Sequence, residues 1–184
     1  MSVEEYLELD ASTDIRYEYL DGYAYPLTND PTNLAGGSPA HARVAANLIA
    51  ILENALADAN SNCYVYTSDA RVQLTEDQYL YPDVSVACGE EETGSIQNPI
   101  LIIEVLSPST ELRDRGNKLK SYRTCSSVEE YVLVGSQYKS IEVYRREKGA
   151  FARYHAYGPG DTVELTSVGV SFPFERIYRG VRFR

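Results

Sequence analysis

The sequence contains no apolar run of about 18 residues, the length a membrane-spanning helix needs. Its start, Met1-Ser2-Val3-Glu4-Glu5, is acidic where a secretory leader would be basic and then apolar. These absences predict a cytoplasmic protein without membrane insertion. Cysteine is scarce: Cys63, Cys88 and Cys125 lie far apart and form no CxxC. That pattern fits neither a disulfide framework nor a zinc site and predicts reduced thiols that serve mostly in packing. Serine-nucleophile motifs, phosphate loops and dinucleotide fingerprints are missing, as are repeats, linkers and low-complexity segments. Cations are outnumbered, 17 Lys and Arg against 27 Asp and Glu, for a formal net charge of −10. Such a chain does not coat nucleic acid through general electrostatics, although a nuclease is not excluded.

What is present suffices for one domain over residues 1–184, long enough to bury most of its apolar surface. Val3 to Leu9 is an amphipathic helix candidate. Ile15 to Leu20, the turn Asp21-Gly22 and Tyr23 to Tyr25 form a first hairpin. Thr28 to Gly37 has loop composition. Ser38-Pro39 then opens a helix to about Ala57, in which Val44, Leu48, Ile51, Leu52 and Leu56 recur at helical spacing. Cys63 to Thr67 and Ala70 to Leu74 are strand segments, Glu76-Asp77-Gln78 a turn, and Tyr79 to Val86 leads into the next strand. Pro82 cannot donate to a ladder, so Asp83 is expected at a strand start or bulge. The acidic loop Glu90-Glu91-Glu92 follows. Strands are expected again over Glu130 to Val134, Ser140 to Arg145, Phe151 to Tyr157 and Thr162 to Leu165. Phe172, Phe174 and Ile177 should close the chain as a small cap.

The centre of the chain is Asn98 to Tyr122. Ile100 to Ile103 is a continuous apolar run bounded by proline-containing breaks, the pattern of a buried central strand. Glu104 interrupts it, and a carboxylate there is costly unless a metal, a cation or hydrogen bonds compensate it. Ser107-Pro108-Ser109 opens a helix expected to run to about Thr124. At 100° per residue, Leu112, Leu119 and Tyr122 share one face. Lys118 lies about 40° from Tyr122, and Lys120 points away.

Tyr81-Pro82-Asp83-Val84, Ile103 to Thr110, the set Asp114, Lys118 and Tyr122, and Glu130-Tyr131 together resemble the Uma2 family, part of the PD-(D/E)XK nuclease superfamily. Arg16 to Gly22, Ser38 to His41 and Ile141 to Tyr144 extend the likeness over nearly the whole chain. The resemblance implies an α/β (α+β) fold with a restriction-endonuclease-like core: a curved mixed β-sheet, two main helices and extra antiparallel strands. The usual superfamily lysine two residues after the acid is replaced by Leu106, and the resemblance implies that its role has passed to Lys118. Implied with it are Mg²⁺ or Mn²⁺ as cofactor, DNA as substrate, and auxiliary positions at Glu18 and His41.

The chemistry is consistent with that likeness. Two carboxylates suit Mg²⁺, which prefers hard oxygens and keeps several waters. Asp83 and Glu104 are therefore the expected metal ligands, with the carbonyl of Val105 as a third. Lys118 is the group expected to act on water or phosphate, with Asp114 and Tyr122 holding it in place. Blander readings stay open: Asp83 as a turn residue, Glu18 as an exposed strand residue, His41 as a surface residue, Asp114 and Lys118 as an i,i+4 helix pair, and the arginines of the helix and tail as solvated charge. Three functions follow: a metal-dependent DNA endonuclease, a catalytically idle relative binding nucleic acid or protein, and a metal-free hydrolase using Asp83 and Glu104 as acid and base. Two-strand cutting needs two sites, so a homodimer is expected of the first.

Overall fold

The computed structural model describes residues 1–27, 38–89 and 94–183. The loop expected at Thr28 to Gly37 lies outside them, as does the acidic loop at Glu90 to Glu92. Helix α1 (Val3–Ser12) begins with a capping box between Ser2 and Glu5. The hairpin β1 (Tyr17–Leu20) and β2 (Tyr23–Pro26) turns through Asp21 and Gly22, both at positive φ. Helix α2 (Pro39–Asp58) is capped by Ser38, which accepts from the His41 N–H, and its five periodic apolar residues are all buried. Strands β3 (Cys63–Thr67), β4 (Val72–Thr75), β5 (Gln78–Leu80), β6 (Val84–Cys88) and β7 (Pro99–Leu106) follow.

Strands β8 (Glu130–Gly135), β9 (Ile141–Glu147), β10 (Ala150–Tyr157), β11 (Thr162–Leu165) and β12 (Val170–Pro173) complete the sheets. A six-stranded sheet runs β10-β9-β8-β7-β6-β3, a four-stranded one β2-β1-β5-β4, and β11 pairs with β12. Only β7 and β8 are parallel within the large sheet, so the mixed α+β architecture is as expected. Tyr79 to Val86 leads into β6 as expected, with Pro82 and Asp83 just before the strand start; its first two residues belong to β5 of the other sheet, because the chain breaks at Tyr81 to Asp83, where Pro82 cannot join a ladder.

Central strand β7 is buried on both faces. Leu101, Ile103 and Val105 pack with Val44, Leu48 and Leu52 of α2, while Ile102 and Leu106 pack with Leu119, Tyr122 and Tyr131. Side chains alternate along a strand, so Glu104 belongs to the second face. Phe172, Phe174 and Ile177 join the α2 core.

The helix after β7 differs from expectation in one respect. It comprises α3 (Glu111–Arg113), a π turn over Asp114–Lys118 and α4 (Leu119–Thr124). A π turn holds nearly one residue more than an α turn, roughly 100° of added rotation between the two halves. Leu112, expected on the packed face with Leu119, is accordingly 90% exposed. Asp114, Lys118 and Tyr122 are all buried.

The cysteines also depart from expectation. Cys63 and Cys88 face each other in the β3–β6 register and form a disulfide, and only Cys125 among the three is a free, buried thiol. The 25 residues separating the two hide a proximity that antiparallel pairing creates. Disulfides persist in oxidising surroundings, so the thiols no longer argue for the cytoplasm. Among the described residues no helix is long and apolar enough to cross a membrane.

Candidate active site

Antiparallel pairing of β6 with β7 sets Val84 opposite Ile103, which brings Asp83 and Glu104 to adjacent strand ends. The Val105 N–H donates to Asp83 Oδ2 at 2.7 Å, fixing the carboxylate across the gap. His41, in the first turn of α2, lies 3.2 Å from the same oxygen through Nε2. Burial pulls the imidazole pKa down, yet the hydrogen bond and charge of Asp83, with the Val105 backbone, carry it above its ordinary value. His41 is thus neither free surface nor isolated packing.

Glu104 and Lys118 form the inner half of the site. Lys118 Nζ donates to Glu104 Oε1 at 2.8 Å and lies 3.2 Å from Glu18 Oε1 and 3.8 Å from Asp114 Oδ1. The Tyr122 hydroxyl donates to the same Glu104 oxygen at 3.0 Å. Burial, with Asp114 and Asp83 nearby, pushes Glu104 well above the usual carboxylate range against the opposing Lys118 charge. Burial alone would lower Lys118, but Glu104, Glu18 and Asp114 hold it above its usual value, so it stays an ammonium. Tyr122 is raised by burial and by Glu104 and remains a neutral phenol donor.

Glu18 is 1% exposed, which removes the reading of it as an exposed strand residue. It also pairs with Arg113 and accepts from the Tyr81 N–H at 3.2 Å. Asp114 and Lys118 are likewise buried, so theirs is not the solvent-exposed i,i+4 pair of a surface helix. Of the seven side chains singled out from the sequence, Glu18, Glu104, Asp114, Lys118 and Tyr122 are joined by ion pairs and hydrogen bonds, and Asp83 with His41 forms a pair beside them, tied to the strand of Glu104 through the Val105 N–H.

Two participants escaped the sequence reading. Arg113 is the partner of Glu18, and Tyr131 supports the helix by donating to the Asp114 carbonyl at 2.9 Å. Arg113 was visible only as one of a basic cluster; Tyr131 was visible only beside Glu130. That cluster is largely neutralised, because Arg115 engages Glu111 and Glu142 while Lys120 and Arg123 remain exposed. Glu130 accepts from Arg145, Thr166 and Ser167 away from this network, beside a cleft of about 620 Å³. That cleft is therefore separate from the acidic site.

Among the described residues no three His, Cys, Asp or Glu side chains stand ready as a metal cluster. The donor set nonetheless suits a hard cation. Glu18, Glu104 and Asp114 surround one lysine, and Asp83 stands at the neighbouring strand end, an excess of negative charge that Arg113 and His41 partly offset. Asp83, Glu104 and the Val105 carbonyl are the oxygens that could hold such an ion, and Mg²⁺ tolerates so few protein ligands because it keeps several waters.

Comparison with known proteins agrees with the fold. A structure described as "a putative nuclease belonging to DUF820 from Anabaena variabilis" superposes with a TM-score of 0.69, covering 92% of this chain and 93% of that one at 17% identity. Two uncharacterized proteins of Synechocystis sp. are similar in sequence. One is 35% identical over 100% of this chain and 94% of its own length. The other is 30% identical over 79% of this chain and 81% of its own. The model of the Uma2 family, described as "Putative restriction endonuclease", matches residues 3–175, and the chain belongs to that family.

Proposed function

We propose that this protein is a metal-dependent endonuclease hydrolysing DNA phosphodiester bonds through one Uma2-type domain spanning residues 1–184. The observation that carries the reading is the meeting of Asp83 and Glu104 at the paired ends of β6 and β7, with Lys118 2.8 Å from Glu104. In this reading Asp83, Glu104 and the Val105 carbonyl hold Mg²⁺ or Mn²⁺. When bound, such an ion neutralises the phosphate and lowers the pKa of a coordinated water. Lys118 donates to the attacking water or to a phosphate oxygen, where negative charge builds in the transition state. Asp114, Glu18 and Tyr122 orient Lys118 and Glu104, and His41 holds Asp83. Arg113 keeps Glu18 in register with Lys118.

A second reading, a catalytically idle relative that binds nucleic acid or a protein, draws on the same network. Lys118 and Tyr122 both bond Glu104 Oε1, an arrangement that has to open before that oxygen ligates. The test is cleavage of single-stranded, duplex and branched DNA in Mg²⁺ or Mn²⁺, with Asp83→Ala and Lys118→Ala beside wild type. Cutting that needs metal and disappears in both variants supports the endonuclease. Absence of cutting, or equal cutting by the variants, moves the idle reading ahead, and cutting in EDTA revives the metal-free hydrolase. A dimer brings two such sites to one duplex, and sedimentation as a strict monomer at micromolar concentration counts against it.

A further inference from the structure

Strand β2 is an edge of the four-stranded sheet, and its two faces are unlike. Ala24 turns inward against the cluster of Tyr6, Tyr19 and Tyr79. Tyr23 and Tyr25 turn the other way and are 67% and 46% exposed, their ring centroids 6.5 Å apart. Neither ring contributes to a core.

Register decides what lies beside them. Tyr25 pairs directly with Glu18 and Tyr23 with Leu20, and directly paired residues of antiparallel strands share a face. Glu18 Oε1 is 3.2 Å from Lys118 Nζ. The two open rings therefore extend the same surface that carries the acidic site, one strand outward from it.

The geometry points to Tyr23 and Tyr25 as a stacking platform for two bases of an unpaired DNA strand whose phosphate lies at Asp83, Glu104 and Lys118. This inference rests on the nuclease reading and adds its substrate class. Bases within a duplex are about 3.4 Å apart and stacked on one another. Rings 6.5 Å apart and tilted by 46° to one another offer two separate faces that a parallel stack of bases cannot cover together, so each accepts a base only from a strand whose bases are unstacked. Charge favours the same substrate. The net charge is −10, and the cations nearest the site are matched by carboxylates, Arg113 and Lys118 by Glu18 and Glu104, Arg115 by Glu142. Neutralisation of many duplex phosphates cannot lead binding here, whereas stacking is indifferent to protein charge and to base identity.

The experiment is fluorescence anisotropy in EDTA with labelled 20-nucleotide strands: oligo-dT, a fully abasic strand with the same phosphates, and a duplex. The proteins are wild type, Tyr23→Ala, Tyr25→Ala, Tyr25→Phe, and Tyr154→Ala as an exposed tyrosine elsewhere, each checked by thermal melting. The expected result is preference for oligo-dT over both other strands, a loss of roughly tenfold for each alanine at Tyr23 and Tyr25, and none for Tyr25→Phe or Tyr154→Ala. Equal binding of abasic and base-bearing strands, or alanine variants that bind like wild type, overturns the platform. The same strands are then incubated with Mg²⁺. Ring-dependent binding without cutting sinks the nuclease reading and leaves the platform standing, whereas cutting that ignores both rings does the reverse.

Discussion

Replacing Lys118 by methionine keeps the length of the side chain and removes its charge from a site closed to water. The ammonium faces carboxylates at 2.8, 3.2 and 3.8 Å, and its own side chain is only 5% exposed. At an effective dielectric constant of about 20, each such pair attracts by roughly 4–6 kcal/mol. That gross attraction is set against several kcal/mol of desolvation per ion, so the sum of the pairs is not the stability lost. The relevant quantity is the cost of leaving partners behind. Glu104 keeps only the Tyr122 hydroxyl, and Glu18 keeps Arg113 and the Tyr81 N–H. Stranding a buried charge in this way costs about 3–5 kcal/mol. Urea denaturation at neutral pH measures it, with the exposed Lys120→Met as control, expected within about 0.5 kcal/mol of wild type. Removing the acid as well, in Glu104→Gln/Lys118→Met, should recover part of the loss, because the stranded charge disappears with its partner. A Lys118→Met protein less than about 1 kcal/mol below wild type would refute the reasoning, since Lys118 would then not be the counter-ion of buried carboxylates.

Other perturbations probe other parts of the molecule. Reducing Cys63–Cys88 opens a loop with a sequence separation of 25, worth about 3.5 kcal/mol of chain entropy, and should lower the melting temperature by roughly 7–14 °C; an unchanged melt with two newly titratable thiols would contradict this. The Arg115 hydrogen bond lowers the pKa of Glu142. Its stabilisation, about 1 kcal/mol, is therefore present above the unfolded carboxylate value and is lost as pH falls through the lower folded one. Glu142→Gln should flatten that part of the acid limb, and parallel stability curves for the two proteins would argue against the pair. At Gly135 an added Cβ would run into the Tyr138 backbone oxygen and lie 2.8 Å from Ser140 Oγ, so Gly135→Ala should cost about 1–3 kcal/mol in the urea midpoint. A midpoint equal to wild type would mean the turn relaxes freely.

Much of this architecture was legible because the signals were local. Ile100 to Ile103 announced a strand buried on both faces, and the apolar spacing of α2 needed no tertiary information. The opposite pointing of Lys118 and Lys120 was also recoverable, since both lie at the junction with the regular α4 turn that carries Tyr122. What was not legible depended on distant partners. The Cys63–Cys88 bond arises from strand register, and the burial of Glu18 arises from a helix 95 residues further on. Leu112 failed for another reason: a fixed angle per residue cannot register a π turn, which has no composition signal of its own.

That π turn makes the site sensitive to length as well as to identity. Gly116 sits within it, exposed, with nothing within 4 Å of where a Cβ would stand, so a substitution there meets no obstacle. Winding the same residues as plain α-helix is another matter. It would swing Glu111 to Asp114 by roughly a quarter turn against α4. Leu112 would swing toward the protein and Asp114 off the face that carries Tyr122, although every side chain of the network would still be encoded. Deleting one residue would cancel that swing, because the π turn holds nearly one residue more than an α turn. In a chain one residue shorter at this point the inward acid would stand three residues before the lysine, where it stands four before it here, and a motif written at a fixed spacing would miss it.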